Sequence, residues 1–260
     1  MDDGELLKLL ELVARGERSP AQALRAIQPD EDLGFAKLDL GRAARTGVDE
    51  AVFAESKTDE ELAAIVDRMI ERLGRVLVTR LAPARLAPLE AAHPQGVYRA
   101  RARVWSCGEP ASALEGRVSV VSAGTADLAV AEEAAETAAW CGLAVERCYD
   151  VGVAGLGRLL ARIPRLRESA VVIAVAGMDG ALPTVLAGLV PCPVVAVPTS
   201  VGYGVGLGGI APLLTMLNGC APGVAVVNVD NGYGAAVLAR RVLAGRSPDA
   251  GSRKASIASP

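Results

Sequence analysis

The stretch Ala170-Val-Val-Ile-Ala-Val-Ala-Gly-Met-Asp-Gly180 decides the fold of this chain. Its first seven residues are uncharged and mostly β-branched or small, and a glycine-containing loop with one carboxylate follows at once. A strand without a polar face must be covered on both sides, as in the interior of a parallel sheet. We therefore predict a buried parallel strand over 170–176, with a loop leaving its carboxyl end.

Similar apolar segments lie on both sides of this strand and alternate with helical patterns. The predicted strands cover 118–122, 144–149, 170–176, 194–198 and 224–229, and the predicted helices cover 127–141, 153–167, 180–189, 209–218 and 233–244. This alternation predicts an α/β fold with a doubly wound parallel sheet in a three-layer, Rossmann-like arrangement. Ligands of such sheets bind where loops leave the carboxyl ends of the strands.

The first hundred-odd residues are more charged and less regular, which predicts a smaller N-terminal α+β domain. We predict amphipathic helices over 1–12 and 19–27, and strands over 35–40, 51–55, 76–80 and 97–105. Thr58 and Glu61 form a capping-box pattern ahead of a further helix. The predicted domains are 1–112 and 113–246, followed by a polar, serine-rich tail over 247–260 that we expect to be disordered.

The composition argues against several classes of function. The 27 basic and 30 acidic residues give a net charge of −3, so no nucleic-acid surface is expected. The single histidine excludes a zinc site built on several imidazoles. Residues 180–229 contain no Asp, Glu, Lys or Arg, but six prolines interrupt them, which favours buried core and a homo-oligomer interface over a membrane span. Five cysteines without a C-x-x-C pair indicate a reducing, cytoplasmic location.

Two glycine-containing loops are candidate anion-binding sites. Ser122-Ala-Gly-Thr-Ala-Asp127 opens a helix whose first amides would bind a phosphate or carboxylate, although a plain helix cap is the alternative. The loop over 199–209 has five glycines in eleven residues, which would let backbone amides approach a pyrophosphate. Close packing against a helix or a second subunit is the alternative there. No Walker-type ATP-binding motif occurs.

Four aspartates follow strand ends, namely Asp127, Asp150, Asp179 and Asp230. Each would serve as a helix cap when taken singly. Together they also suit a base with a pKa raised by burial, or Mg²⁺ bridging a phosphate near Asp127 or Asp230.

Cys220 is the candidate reactive thiol, because it lies in the connection Leu217-Asn-Gly-Cys-Ala-Pro222 between a helix and the last strand. Cys141, Cys148 and Cys192 are most simply small core residues. A preceding helix carboxyl end disfavours a thiolate, so a bound cationic ring would have to supply the positive field.

The run from Ser122 to Gly234 closely resembles the LarB family of nickel-pincer cofactor biosynthesis proteins. The matching segments are Ala123-Gly-Thr-Ala-Asp127, Val130-Ala-Glu-Glu-Ala134, Tyr149-Asp-Val-Gly-Val-Ala-Gly155, Val175-Ala-Gly-Met-Asp-Gly-Ala-Leu182, Val197-Pro-Thr-Ser-Val-Gly-Tyr-Gly204, Leu214-Thr-Met-Leu-Asn218 and Asn228-Val-Asp-Asn-Gly-Tyr-Gly-Ala-Ala236. The resemblance extends into Phe35-Ala-Lys-Leu-Asp39, Arg42, Arg45, Gly47, Glu50 and Glu55-Ser-Lys-Thr58. It therefore covers most of the chain.

The resemblance implies a carboxyl-terminal domain similar to aminoimidazole ribonucleotide carboxylase (PurE). It implies conversion of nicotinic acid adenine dinucleotide and CO₂ or bicarbonate into pyridinium-3,5-biscarboxylate mononucleotide, with release of AMP. Cys220 would be the nucleophile and Asp179 its acidic partner. The implied substrate contacts are Gly124, Thr125, Asp127, Asp150, Gly177, Met178, Ser200, Gly202, Tyr203, Gly204, Gly208, Gly209 and Asn218, with Arg42, Arg45 and Lys57 from the N-terminal domain.

The resemblance further implies no tightly bound cofactor, with Mg²⁺ as a candidate ion, and a homo-oligomer between a dimer and a PurE-like octamer. Three residues depart from the family pattern: Asp179 replaces the usual Glu, Ala126 a frequent Ser and Gly157 a frequent His. Two other functions stay open. One is a PurE-like carboxylase or mutase acting on an imidazole ribonucleotide, and the other is a non-catalytic nucleotide-binding protein.

Overall fold

The computed structural model describes residues 3–27 and 30–246, so the predicted disordered tail over 247–260 lies outside the described part. Helices α1 (Asp3–Ala14) and α2 (Pro20–Ile27) come first. A short antiparallel pair follows, formed by β1 (Asp30–Asp32) and β2 (Lys37–Asp39), and then a helix, α3 (Arg42–Thr46). The two predicted N-terminal helices are confirmed within these ranges.

A four-stranded sheet organises the N-terminal unit. Its strands are β3 (Val52–Phe53), β4 (Val76–Thr79), β5 (Val97–Arg99) and β6 (Val104–Cys107), in the order β3-β4-β6-β5. Helices α4 (Asp59–Leu73) and α5 (Leu86–Ala92) complete the unit. The predicted capping box at the start of α4 is confirmed, since Thr58 and Glu61 exchange side-chain-to-backbone hydrogen bonds. With the helix anchored in this way, its apolar face packs with Trp105 in one core.

The single strand predicted over 97–105 is wrong. The structure has an antiparallel hairpin instead, in which Tyr98 pairs with Trp105. The chain reverses over residues 100–103, where Arg103 has a φ of 53°, in the left-handed region. A turn without glycine, asparagine or aspartate gives little sequence indication of a hairpin, because those residues usually supply left-handed backbone.

The carboxyl-terminal unit alternates strands and helices. Its strands are β7 (Arg117–Ser122), β8 (Ala144–Cys148), β9 (Val171–Ala176), β10 (Val194–Pro198) and β11 (Val224–Val226). Its helices are α6 (Leu128–Trp140), α7 (Leu156–Leu160), α8 (Ile163–Leu166), α9 (Leu182–Ala187), α10 (Ile210–Leu217) and α11 (Gly232–Ala244). The strand order is β11-β10-β9-β7-β8 and every pairing is parallel. The predicted doubly wound α/β fold with a smaller N-terminal α+β unit is confirmed.

Two details of this unit differ from the predictions. The helix predicted over 153–167 is divided into α7 and α8, with Pro164 in the first turn of the second helix. Proline is accepted in a first turn but breaks a helix interior, since it lacks the N–H and its ring clashes with the preceding turn. The strand predicted over 224–229 ends at Val226.

Helices cover both faces of the sheet. On one face, α6 and α11 pack together through an alanine seam, formed by Ala131, Ala134, Ala135, Ala138, Ala235, Ala236 and Ala239, all fully buried. Helices α7 to α10 cover the other face, where Leu159, Leu182, Leu186 and Met216 are buried. Small side chains let α6 and α11 approach closely, so the sheet is enclosed without aromatic bulk. No helix among residues 3–27 and 30–246 has the length and apolar character needed to cross a membrane.

Candidate functional site

Asp127 joins the ends of three strands. Its Oδ1 accepts a hydrogen bond from Thr199 Oγ1 at 2.7 Å, and its Oδ2 accepts one from the Gly124 amide at 3.0 Å. Burial raises the pKa of this carboxyl, while the hydrogen bonds from Thr199, Gly124 and Gly177 oppose the rise. Both oxygens are thus engaged by the protein, and the geometry corresponds to the capping alternative. Asp127 holds the loops after β7, β9 and β10 together.

The other three aspartates after strand ends also have protein partners. Asp230 accepts from the Ser200 amide at 2.8 Å, Asp150 pairs with Arg158, and Asp179 accepts from the Ala181 amide at 3.1 Å. Asp150 and Asp230 have left-handed backbone, with φ of 58° and 56°. Such conformations are strained for residues other than glycine and concentrate at functional sites.

The carboxylates do not form a ready-made metal site. Within the described ranges, no group of three or more His, Cys, Asp or Glu side chains comes together in a way that would hold a metal. Mg²⁺ binds through one or two carboxylates plus substrate phosphates in many enzymes, so the expected ion beside Asp127 or Asp230 stays a prediction.

A cleft of about 810 Å³ lies between α9 and the end of α10. We call it the α9–α10 cleft; its lining residues are Ala181, Thr184, Val185, Leu214, Thr215, Leu217, Asn218, Gly219 and Cys220. The volume is in the range of small-molecule sites. Cys220 is exposed there, as its loop position predicted, and none of the lining residues is Asp, Glu, Lys or Arg.

The segment before Cys220 packs tightly against α9. A β-carbon added to Gly219 would lie 2.4 Å from Thr184 Oγ1, so only glycine fits at this position without a shift. Asp179 lies in the loop leading to α9, and its carboxylate is bonded to the amide of Ala181, which lines the cleft. Asn218, Cys220 and the Asp179 loop are therefore brought to one region of the molecule.

The glycine-rich loop over 199–209 is largely exposed and apolar. Tyr203 is 83% exposed, and the exposure continues through Leu207 and Ile210 to Leu214 and Leu217 on α10. Gly208 and Gly209 have left-handed φ of 63° and 98°, and a β-carbon on Gly209 would lie 2.5 Å from Val229. The loop thus packs closely at its end and leaves a continuous apolar surface leading to the α9–α10 cleft.

Within one chain, the three predicted N-terminal cations, Arg42, Arg45 and Lys57, do not lie beside Cys220. Arg45 pairs with Asp39 at 2.6 Å, and Lys57 donates to the Phe53 carbonyl at 3.0 Å. Helix α3, which carries both arginines, lies beside the ends of α6 and α11, as its Ala43 shares a cavity with Trp140 and Arg240. The α9–α10 cleft is on the opposite face of the sheet.

Sequence reasoning missed an ion pair between the two units. Arg80, at the end of β4, donates from Nε to Oε1 of Glu133 at 3.1 Å, and Glu133 is buried on α6. Burial raises the pKa of Glu133, and the nearby guanidinium opposes the rise. The spacing of Glu133, Thr137 and Trp140 along α6 contained the indication, because it marks a second helix face that has to be covered.

Comparison with known proteins defines the class and then the family. Residues 117–257 match the family model of AIR carboxylase, so the doubly wound unit is a domain of this carboxylase and mutase class. Residues 30–109 match the model of the LarB/PurE-like N-terminal domain. The chain belongs to the LarB family, with a PurE-like carboxyl-terminal domain.

Two relatives from Methanocaldococcus jannaschii are similar to this chain. An uncharacterized protein is 40% identical over 212 residues, which cover 78% of this chain and 82% of the relative. An N5-carboxyaminoimidazole ribonucleotide mutase is 33% identical over 132 residues, covering 49% of this chain and 78% of the mutase. The mutase and the two family models support a carboxylase-related function.

Proposed function

We propose that this protein carboxylates C5 of the pyridinium ring of nicotinic acid adenine dinucleotide and cleaves the phosphoanhydride to release AMP. The product is pyridinium-3,5-biscarboxylate mononucleotide. The observation that carries the proposal is the exposed Cys220 in an uncharged cleft of a carboxylase-class domain. A flat, cationic heterocycle suits such a cleft better than a phosphate does, because the lining provides apolar surface and no side-chain cation.

A thiol allows this reaction to proceed without ATP. A pyridinium ring is too electron-poor for its C5 to attack CO₂. When the Cys220 thiolate adds to a ring carbon next to C5, a C–S bond forms, aromaticity is lost and an enamine results. The β-carbon of this enamine, C5, attacks CO₂, and a base then removes the C5 proton. The nitrogen lone pair moves back into the ring, the C–S bond breaks with its electron pair leaving on the thiolate, and the aromatic pyridinium is restored. Atoms and electrons balance without an oxidant.

The substrate itself would help to stabilise the Cys220 thiolate. No Lys or Arg lines the α9–α10 cleft, so the positive field that favours a thiolate would come from the pyridinium ring itself. Asp179 is assigned to proton removal or to positioning, because its loop borders the cleft at Ala181. Asp is one methylene shorter than the Glu usual in the family, so a water between carboxylate and ring is consistent with this assignment.

The anionic part of the dinucleotide would bind at the carboxyl ends of the strands. Gly124, Thr125, Ser200 and the glycines over 202–209 are assigned to it, since backbone amides bind phosphates without a side-chain cation. Phosphoanhydride cleavage additionally needs a water, with Mg²⁺ as the ion that would suit it.

We infer that the working form is a homo-oligomer. The surface from Tyr203 to Leu217 exposes several large apolar side chains, and contiguous exposed patches of this kind usually mark contact with another chain. A second copy seated there would enclose the α9–α10 cleft. It would also be a source of the phosphate-binding cations that Arg42 and Arg45 cannot supply to Cys220 of their own chain.

Mass spectrometry with labelled bicarbonate tests the reaction. The wild-type protein should convert the dinucleotide into AMP and a mononucleotide carrying one labelled carboxylate. Cys220→Ser and Cys220→Ala should abolish the labelled product, whereas Cys192→Ser, at a half-buried cysteine outside the cleft, should leave it unchanged. Wild-type rates in either Cys220 variant would exclude the covalent step.

The mutase relative favours a second candidate, carboxyl transfer on an imidazole ribonucleotide. This chemistry needs no cysteine. Incubating the protein separately with each substrate separates the two, because only one should give a product mass shift. Tight dinucleotide binding with no mass shift from either would indicate a non-catalytic nucleotide-binding protein.

A further inference from the structure

Arg80 has a left-handed backbone conformation, and its side chain extends from the N-terminal unit into the carboxyl-terminal unit. It directly follows β4 and has a φ of 58°, in the left-handed region that residues other than glycine seldom adopt. Its carbonyl accepts a hydrogen bond from Arg103 at 3.1 Å, and Leu81, the next residue, is bonded to the Arg103 carbonyl. The strained residue is therefore held firmly, with its side chain directed out of the N-terminal unit and into the carboxyl-terminal unit.

The guanidinium of Arg80 donates hydrogen bonds to two groups in different directions, and its Nη1 also lies 3.9 Å from Oε2 of the half-exposed Glu55. Nε donates to Glu133 Oε1 at 3.1 Å, and Nη2 donates to the Asp230 carbonyl. The guanidinium carbon also lies 6.0 Å from the ring centre of Phe53, a cation–π contact. A lysine ammonium is a single point charge and would not match both acceptors at once.

These contacts connect the N-terminal unit with the glycine-rich loop. Glu133, which is buried, accepts a second hydrogen bond from the Gly232 amide at 3.1 Å, so Arg80 and Glu133 hold both sides of the Asp230 turn. The Asp230 amide donates to the Pro198 carbonyl at 2.8 Å, and the Asp230 carboxylate accepts from the Ser200 amide at 2.8 Å. Ser200 is the second residue of the glycine-rich loop.

We infer that Arg80 is a positioning residue: it fixes the Asp230 turn from the N-terminal unit and thereby holds the start of the glycine-rich loop in its ligand-binding shape. The ligand side of this inference rests on the proposed function, in which that loop binds the anionic part of the dinucleotide. The N-terminal unit then acts on the site through one arginine, and direct contact with the substrate is not required.

Hydrogen exchange on the full-length, substrate-free protein tests whether Arg80 holds the start of the glycine-rich loop in place. Arg80→Lys should make the Ser200 amide, which donates to Asp230, exchange about tenfold faster, since a hydrogen bond to a charged group is lost. Arg75→Lys is the matched control. Arg75 spans the same two units, pairing with Asp49 at 3.0 Å and lying 4.5 Å from the ring centre of Trp140, without contacting the Asp230 turn. It should leave exchange of the Ser200 amide unchanged.

A second variant keeps the test valid if Arg80→Lys fails to fold. Combining Arg80→Gln with Glu133→Gln removes both charges together, so no unpaired carboxylate stays buried. It should show the same faster exchange. Unchanged exchange in the folded Arg80 variants, or an equal rise in Arg75→Lys, would overturn the inference.

Steady-state kinetics tests the functional part. Arg80→Lys should raise KM for the dinucleotide about tenfold and change kcat by less than about twofold, because the loop binds the anion and does not touch the reacting ring. A general loss of folded protein would instead lower kcat with KM unchanged. If the wild-type protein incorporates no labelled carbon, the proposed function fails, while hydrogen exchange still judges the role of Arg80.

Discussion

Gly177 lies where three strand ends meet, and Gly177→Ala would measure how tightly they pack. A β-carbon at this position would lie 2.0 Å from Thr199 Oγ1, 2.3 Å from the Val201 carbonyl oxygen and 3.0 Å from Asp127 Oδ1. Atoms cannot stay at the first two separations, so the loop after β10 would have to move. The closest atom is the hydroxyl that donates to the buried Asp127 carboxylate.

Two effects set the expected loss of stability. Overpacking a tight site costs about 1–3 kcal/mol. Losing a hydrogen bond to a charged group costs about 1.5–3 kcal/mol. If both apply in full, Gly177→Ala lowers the free energy of unfolding by about 2.5–6 kcal/mol, a large share of the 5–15 kcal/mol that is usual for a folded domain.

Urea unfolding followed by far-UV circular dichroism is the assay. Gly157→Ala is the control, since a β-carbon there would meet nothing within 4 Å and the residue is in α7; it should gain about 0.5–1 kcal/mol. In a Thr199→Ala background, the Gly177 substitution should cost less, because its closest obstacle and the hydrogen bond are already absent. A loss below about 1 kcal/mol for Gly177→Ala alone would refute the tight junction.

Three further outcomes are expected. Native protein treated with iodoacetamide should be modified first at Cys220, while Cys141 should react only after unfolding, since burial raises the pKa of its thiol to about 11; peptide mass mapping checks the order. Asp127→Asn should lose about 1–3 kcal/mol at pH 7, because asparagine offers one acceptor oxygen to two donors, the Gly124 amide and Thr199 Oγ1. Burial raises the pKa of Asp127, so the folded protein binds this proton more tightly than the unfolded chain does. The stability of the wild-type protein therefore rises as the pH falls from the raised pKa toward 3.8. Urea unfolding curves should show the difference in stability between the wild-type protein and Asp127→Asn widening over this pH range. Replacing Leu214 and Leu217 with serine should shift the protein toward monomer in light scattering if the apolar surface is an interface, and an unchanged mass would argue against that assignment.

The sheet was predictable because each of its strands is an apolar segment that the sequence shows directly. The strand predicted over 194–198 is observed with the same bounds, and β9 differs from its prediction by one residue. Uninterrupted apolar segments between helical patterns have few alternatives in a chain of this kind. The β5–β6 hairpin had no such evidence, since its reversal depends on a left-handed Arg103 that sequence pattern does not reveal.

The candidate site was predictable only in part. The connecting loop and the neighbouring Asn and Gly indicated Cys220, and the structure places it in a cleft. The anion-binding role proposed for Arg42 and Arg45 depends on which chain they would reach, which is a matter of assembly and not of local pattern. Arg80 was missed because its partners Glu133 and Asp230 are 53 and 150 residues further along the chain.

The alanine seam between α6 and α11 helps to fix the position of the Asp230 turn, which lies at the amino end of α11. Helix α11 begins directly after Asn231, whose side chain caps it, and Asp230 is the residue before that. Because the seam alanines are fully buried, added carbon atoms there are expected to push the helix axis outward and carry the turn at its amino end along with it. Substitutions such as Ala235→Val should therefore change the affinity for the proposed substrate as well as the thermal stability. Sequence variation in this seam could adjust affinity without any change in the residues that contact the ligand.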